Sequence, residues 1–144
     1  EGYWVLNTAS TQGVEGFFDR TKNFEFKDAS LTMKTPFGVC FLAAFDRGGI
    51  AEAGRMMFLA AGECSNTIKP GTDQRMSGWW LKGGTPVVLK PVAGSLQMKS
   101  GSFDVWILGE HGERKERIAE NVRTFDFDTG VHQTIWYELV RNGK

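Results

Sequence analysis

The chain has 144 residues, with 17 Lys+Arg set against 17 Asp+Glu, 12% aromatic residues, 18 Gly and 2 Cys. That length suits one domain with a core large enough to fold without a disulfide framework or structural metal. The zero balance argues against a protein built to bind phosphate backbones, 24% charged residues beside 41% hydrophobic ones argue against disorder, and no apolar run is long enough to span a membrane as a helix.

Short segments of period two, bounded by Gly, Asn and Asp, run through the sequence. Each puts one apolar face on a core and one polar face toward water. Tyr3-Trp4-Val5-Leu6 opens the chain, and Trp4 fits either face. Phe24 to Lys27 and Ser30 to Lys34 alternate cleanly. Val39 to Phe45 and Met56 to Ala61 are apolar on both faces, joined by a turn-rich stretch from Asp46 to Arg55. They predict a long hairpin in mid-sheet, covered on both sides. Ser95 to Lys99, Phe103 to Ile107, Arg123 to Asp128 and Thr134 to Leu139 continue the alternation. Glu113 to Ala119 reads as a helix or, after Gly112, as part of a hairpin turn.

About ten short strands and no strong amphipathic helix predict an all-β fold, an antiparallel β-sandwich of jelly-roll type with two packed sheets, spanning residues 1–144 as one domain. The expected core is Phe24, Phe26, Leu31, Met33, Phe41, Phe58, Val88, Leu96, Val105, Ile107, Phe125, Phe127, Ile135 and Leu139.

Cys40 and Cys64 nearly mirror each other about the predicted turn, so they are either a bridge between the two hairpin strands or two free thiols. His111 and His132 fall in predicted loops as solvated side chains, with no HExxH or CxxC spacing nearby. Asp126-Phe127-Asp128-Thr129-Gly130 offers oxygens of the kind calcium takes. It lacks the EF-hand residue at position five and the distant Glu, so a strand entering a turn is the reading kept, and no cofactor is expected. The sequence holds no G-x-S-x-G and no Gly-rich phosphate loop, so a noncatalytic protein is expected.

Five Trp carry the functional signal. Strict alternation sends Trp106 away from Val105 and Ile107, and Trp136 away from Ile135, Tyr137 and Leu139, onto the polar side of a sheet. Trp79 and Trp80 are adjacent after a polar loop, so on an extended segment one of them at most fills the core. An exposed indole is a flat apolar plate with a hydrogen-bonding edge, suited to the C–H face of a pyranose. Trp79, Trp80, Trp106 and Trp136 are the candidate stacking residues, and Asp104, Glu138 and Gln97 the candidate hydroxyl-binding residues. The balanced charge points to a neutral polysaccharide and away from nucleic acid.

Three stretches carry a resemblance. They are Leu31-Thr32-Met33-Lys34-Thr35-Pro36-Phe37-Gly38-Val39, then Phe58-Leu59-Ala60-Ala61-Gly62-Glu63-Cys64-Ser65-Asn66-Thr67, then Thr85-Pro86-Val87-Val88-Leu89-Lys90-Pro91-Val92. With Leu6 to Gly13, they resemble the β-sandwich accessory modules of bacterial multimodular glycoside hydrolases. The chain departs from them at Trp79-Trp80, where the family carries a single Trp. The resemblance implies a noncatalytic, carbohydrate-binding module. Its partners would be a plant polysaccharide of the cellulose, xylan or β-glucan type and an attached hydrolase, at the cell surface or outside the cell. A start at Glu1 without Met is expected of a module cut from a longer chain or of a processed product. The same module could instead only buttress its neighbour, and a small glycan-cleaving enzyme is the third reading.

Overall fold

A computed structural model describes the backbone of residues 2–67 and 84–143. The protein is all-β, built of antiparallel sheets.

The strands, in chain order, are β1 (Gly2–Asn7), β2 (Thr11–Phe17), β3 (Asn23–Glu25), β4 (Ala29–Met33), β5 (Phe37–Ala44), β6 (Arg55–Ala61), β7 (Cys64–Thr67), β8 (Gly84–Leu89), β9 (Ala93–Met98), β10 (Phe103–Leu108), β11 (Arg114–Val122), β12 (Thr124–Asp128) and β13 (Trp136–Arg141). A single helical turn, α1 (Thr129–His132), precedes β13. A seven-stranded sheet has the order β1-β2-β5-β6-β13-β10-β11, a four-stranded sheet the order β12-β9-β4-β3, and β7 pairs with β8.

On β10 the alternation read from the sequence is the one that buries the core, while on β5 and β6, apolar on both faces, the structure selects the inward set. On β5 and β6, Cys40, Leu42, Met56, Phe58 and Ala60 point inward, and on β10 and β13 Phe103, Val105, Ile107, Tyr137 and Leu139 do the same. They share one hydrophobic cluster with Phe24, Leu31, Met33, Leu96, Met98, Phe125 and Phe127 of the four-stranded sheet. Phe58 and Phe127 meet at 4.9 Å, Phe58 and Phe125 edge-on at 5.9 Å, and Phe125 and Tyr137 at 5.9 Å. Gly94 lies beneath this cluster, where an added Cβ would collide with the Phe127 ring and the Thr32 carbonyl.

The predicted hairpin is present. β5 pairs antiparallel with β6, and both sit inside the sheet. Its turn is pinned at both ends. Asp46 Oδ2 accepts from Gly54 N at 2.6 Å, and the Arg141 guanidinium donates to the Ile50, Ala51 and Ala53 carbonyls at 2.9–3.0 Å. Gly112, at φ +80°, turns the chain between β10 and β11. The charged run after it is a strand rather than a turn or helix, because it forms an edge that needs only one apolar stripe.

Several expectations are corrected. Phe41 and Ile135 are half-buried and Val88 is exposed, so they lie outside the core. Phe41 sits on β5 between two inward neighbours, and alternation turns it outward. Val14, Phe18, Ile50, Phe103 and Tyr137 join the core instead. Cys40 and Cys64 are both free, since Cys40 is buried opposite Ala60 while Cys64 lies beyond the hairpin on β7. His132 is not simply solvated, because its Nδ1 lies 3.0 Å from the buried Tyr137 hydroxyl. Asp128 of the D-x-D-x-G stretch caps α1, with Oδ1 accepting from Gly130 N and Val131 N.

Burial pushes the Cys40 thiol far above its ordinary pKa, whereas Cys64 is exposed. A thiol reagent should therefore label one cysteine in the native protein and two after unfolding, and reductant should leave the unfolding midpoint unchanged. A midpoint lowered by reductant would mean a bridge that this fold does not contain.

Candidate functional site

The outward face of the seven-stranded sheet collects the side chains that alternation sends away from the core. Register sets them in rows across the strands. Leu6, Gly13, Phe41, Leu59 and Trp136 form one row. Ala43, Met57, Glu138, Trp106 and Arg117 form the next. Arg55, Val140 and Asp104 form a third. Trp4 is exposed and tilts over Phe41, with ring centroids 5.4 Å apart. The face is therefore apolar over β5 and β6 and charged over β10 and β11.

Glu138 organises the charged part. It is only 2% exposed although its strand position points outward. Arg55 Nε donates to its Oε1 at 2.7 Å, and Arg114 Nε donates to its Oε2 at 2.5 Å. Burial alone would raise its pKa. The hydrogen bonds and charges of Arg114 and Arg55 outweigh that effect and hold the carboxyl below its ordinary value. The two guanidinium groups are about half exposed and lie over the carboxylate like a lid.

Trp106 is held in the same way. The Arg114 guanidinium lies 5.1 Å from its ring centroid and the Arg117 guanidinium 5.7 Å away. Arg117 is fixed in turn by Asp104 at 3.1 Å. The other Asp104 oxygen accepts from Asn142 Nδ2 at 2.9 Å and from Asn121 N at 3.0 Å. Those hydrogen bonds, Asn142 first and Arg117 behind them, lower the Asp104 pKa.

Trp136 has a different setting. It is half-buried at the end of β13, where the sheet face runs into a cleft of about 650 Å³. Val88, Leu89, Pro91, Leu108 and Ile135 supply apolar walls, and Glu110, Lys115, Gln133 and Thr134 supply polar groups. The turn after β10 brings Glu110, and the start of β11 brings Lys115. The α1–β13 connection brings Gln133 and Thr134, with Thr134 Oγ1 donating to the Leu108 carbonyl at 2.8 Å. An apolar pocket of this size with a few convergent polar groups is the usual form of a small-ligand site, for which volumes of about 300–1,000 Å³ are typical.

The structure thus brings Trp106, Trp136, Asp104 and Glu138 onto one sheet face, as alternation predicts. It does not bring Gln97 there. Gln97 is exposed on β9, between Thr124 and Ser30 in the four-stranded sheet. Glu138 and Asp104 differ from free hydroxyl-binding groups, because neighbouring Arg and Asn donors occupy their oxygens. Trp79 and Trp80 lie outside the described residues. The alternation of the charged run could have pointed to Arg117 beside Trp106. The cleft joins three distant parts of the chain, and no local pattern marks it.

Among the described residues no cluster of three or more His, Cys, Asp or Glu could hold a metal, and no helix is long and apolar enough to cross a membrane. Comparison with known protein families, with curated proteins and with solved structures found no match.

The folded Glu138 pKa lies below its unfolded value of about 4.3. Its stabilising contribution is therefore complete above that value and is lost as pH falls through the folded one. Thermal unfolding across the acid range should show Glu138→Gln destabilised by roughly 1.5–3 kcal/mol at neutral pH. The difference from the unaltered protein should shrink toward pH 3. A constant difference at every pH would show that the carboxylate charge plays no part.

Proposed function

We propose that the chain is a noncatalytic carbohydrate-binding module. In this reading it holds a neutral plant cell-wall polysaccharide of the β-glucan, cellulose or xylan type and brings an attached glycoside hydrolase to it, outside the cell or at its surface. We take the two sheets to form a jelly-roll-like sandwich, since their inward faces share one hydrophobic cluster. The observation that carries the reading is Trp136 on the wall of the 650 Å³ cleft, beside Glu110, Lys115, Gln133 and Thr134. The indole offers a stacking plate, and the polar groups offer donors and acceptors to sugar hydroxyls.

Balanced charge supports a neutral ligand, because the protein has no net field to draw a polyanion. Trp106, with guanidinium groups over its ring, is a supporting residue in this account. Asp104 and Glu138 hold those arginines in place.

A second reading has its own observation. Val39, Phe41, Met57 and Leu59 make the outward face of β5 and β6 apolar and half-buried. Such a face would suit a structural module packed on a catalytic domain without glycan binding. Loss of stability in a parent enzyme on deletion of the module, without glycan affinity, would favour that second reading.

Affinity electrophoresis and calorimetry against soluble β-glucan, xylan and cellulose separate the two. Binding to at least one glycan is expected. Trp136→Ala should weaken it by about tenfold or more, some 1.4 kcal/mol, with the fold unchanged. Trp106→Ala should have the smaller effect. Absence of retardation and heat with every glycan would overturn the binding reading.

A further inference from the structure

Among the described residues, the two larger sheets have four edge strands: β1 and β11 in the seven-stranded sheet, β12 and β3 in the four-stranded one. An edge strand presents unpaired N–H and C=O groups and invites pairing unless something blunts it. β11 carries Arg114, Lys115, Glu116, Arg117 and Glu120. β12 carries Asp126 and Asp128, and β3 is only three residues long with Glu25 at its end. β1, Gly-Tyr-Trp-Val-Leu-Asn, is six residues long with no charge and no proline. Its Tyr3, Trp4 and Val5 are 40%, 51% and 46% exposed.

The ladder shows which of its backbone groups have no strand partner among the described residues. Thr8 N donates to Thr11 O at 2.9 Å at the closed end of the β1–β2 hairpin. Phe18 N donates to Pro36 O at 2.7 Å, so even-numbered residues of β2 bond toward β5 and odd-numbered ones toward β1. Antiparallel alternation then turns the Gly2, Trp4 and Leu6 amides toward β2 and those of Tyr3, Val5 and Asn7 toward the open edge.

We propose that β1 is a dimerisation edge, pairing antiparallel with β1 of a second copy of this chain and joining the two seven-stranded sheets into one. A self-pairing strand meets its own sequence across a two-fold axis, so any charge would stand near its like. β1 alone among the four edges has none. A register centred on Val5 lets the two Val5 residues exchange hydrogen bonds and sets Tyr3 opposite Asn7 and Trp4 opposite Leu6. The Trp4 ring leans back across β2 toward Phe41, away from the open edge, and leaves the β1 backbone accessible for pairing.

Sedimentation equilibrium tests this on the 144-residue chain. The unaltered protein should be dimeric at micromolar concentration. Val5→Pro removes the outward N–H without touching a bond to β2, an edge position where proline is tolerated. Val5→Lys places two ammonium groups opposite each other and serves if the proline variant does not fold. Each folded variant should sediment as a monomer with an unchanged circular dichroism spectrum. A monomeric unaltered protein at every concentration up to about 100 μM, or a dimer that survives in the folded variants, would overturn the proposal.

Discussion

The inward faces of the two large sheets meet through aromatic rings, and the rest of the molecule depends on that contact. Phe58 of β6 and Tyr137 of β13 reach down from one sheet, and Phe125 and Phe127 of β12 reach up from the other. Side chains alternate along a strand, so fixing these four inward fixes their neighbours outward. Leu59, Trp136 and Glu138 point away from the core because Phe58 and Tyr137 point into it. A slip of one residue in β13 would turn Trp136 and Glu138 into the aromatic core and Tyr137 and Leu139 out of it.

The same constraint explains the buried carboxylate. Glu138 belongs to the outward set, yet Arg55 from β6 and Arg114 from β11 close over it. Two positive groups about one negative group keep it ionised in a poorly solvated place. The arrangement ties three strands together on the side opposite the aromatic core. It also stations a guanidinium over Trp106 and leaves Trp136, at the end of the strand, as the indole that lines a cleft.

Strand-level structure was legible because period two is a local signal. β4, β9, β10 and β12 follow it, whereas the β5–β6 hairpin was legible from two apolar runs about a turn-rich stretch, which marks the strands but not their inward face. β2 was not legible, since its Gly13 and Gly16 interrupt the apolar pattern. Gly13 is needed there because any Cβ would strike the Cys40 carbonyl and the Phe41 ring. The outward placement of Trp106 and Trp136 followed from their neighbours. The fate of Glu138 did not, because burial on an outward position depends on arginines 83 and 24 residues away. Gln97 illustrates the converse limit: alternation gives the face of a strand, but only the strand order gives the sheet.

Amide chemical-shift mapping with a soluble β-glucan or xylan oligosaccharide would locate a bound sugar without altering the protein. Signals of Glu110, Lys115, Gln133, Thr134 and the Trp136 indole should be perturbed, with Gln97 unchanged. Perturbations confined to the four-stranded sheet, or none at saturating sugar, would contradict glycan binding at the Trp136 cleft.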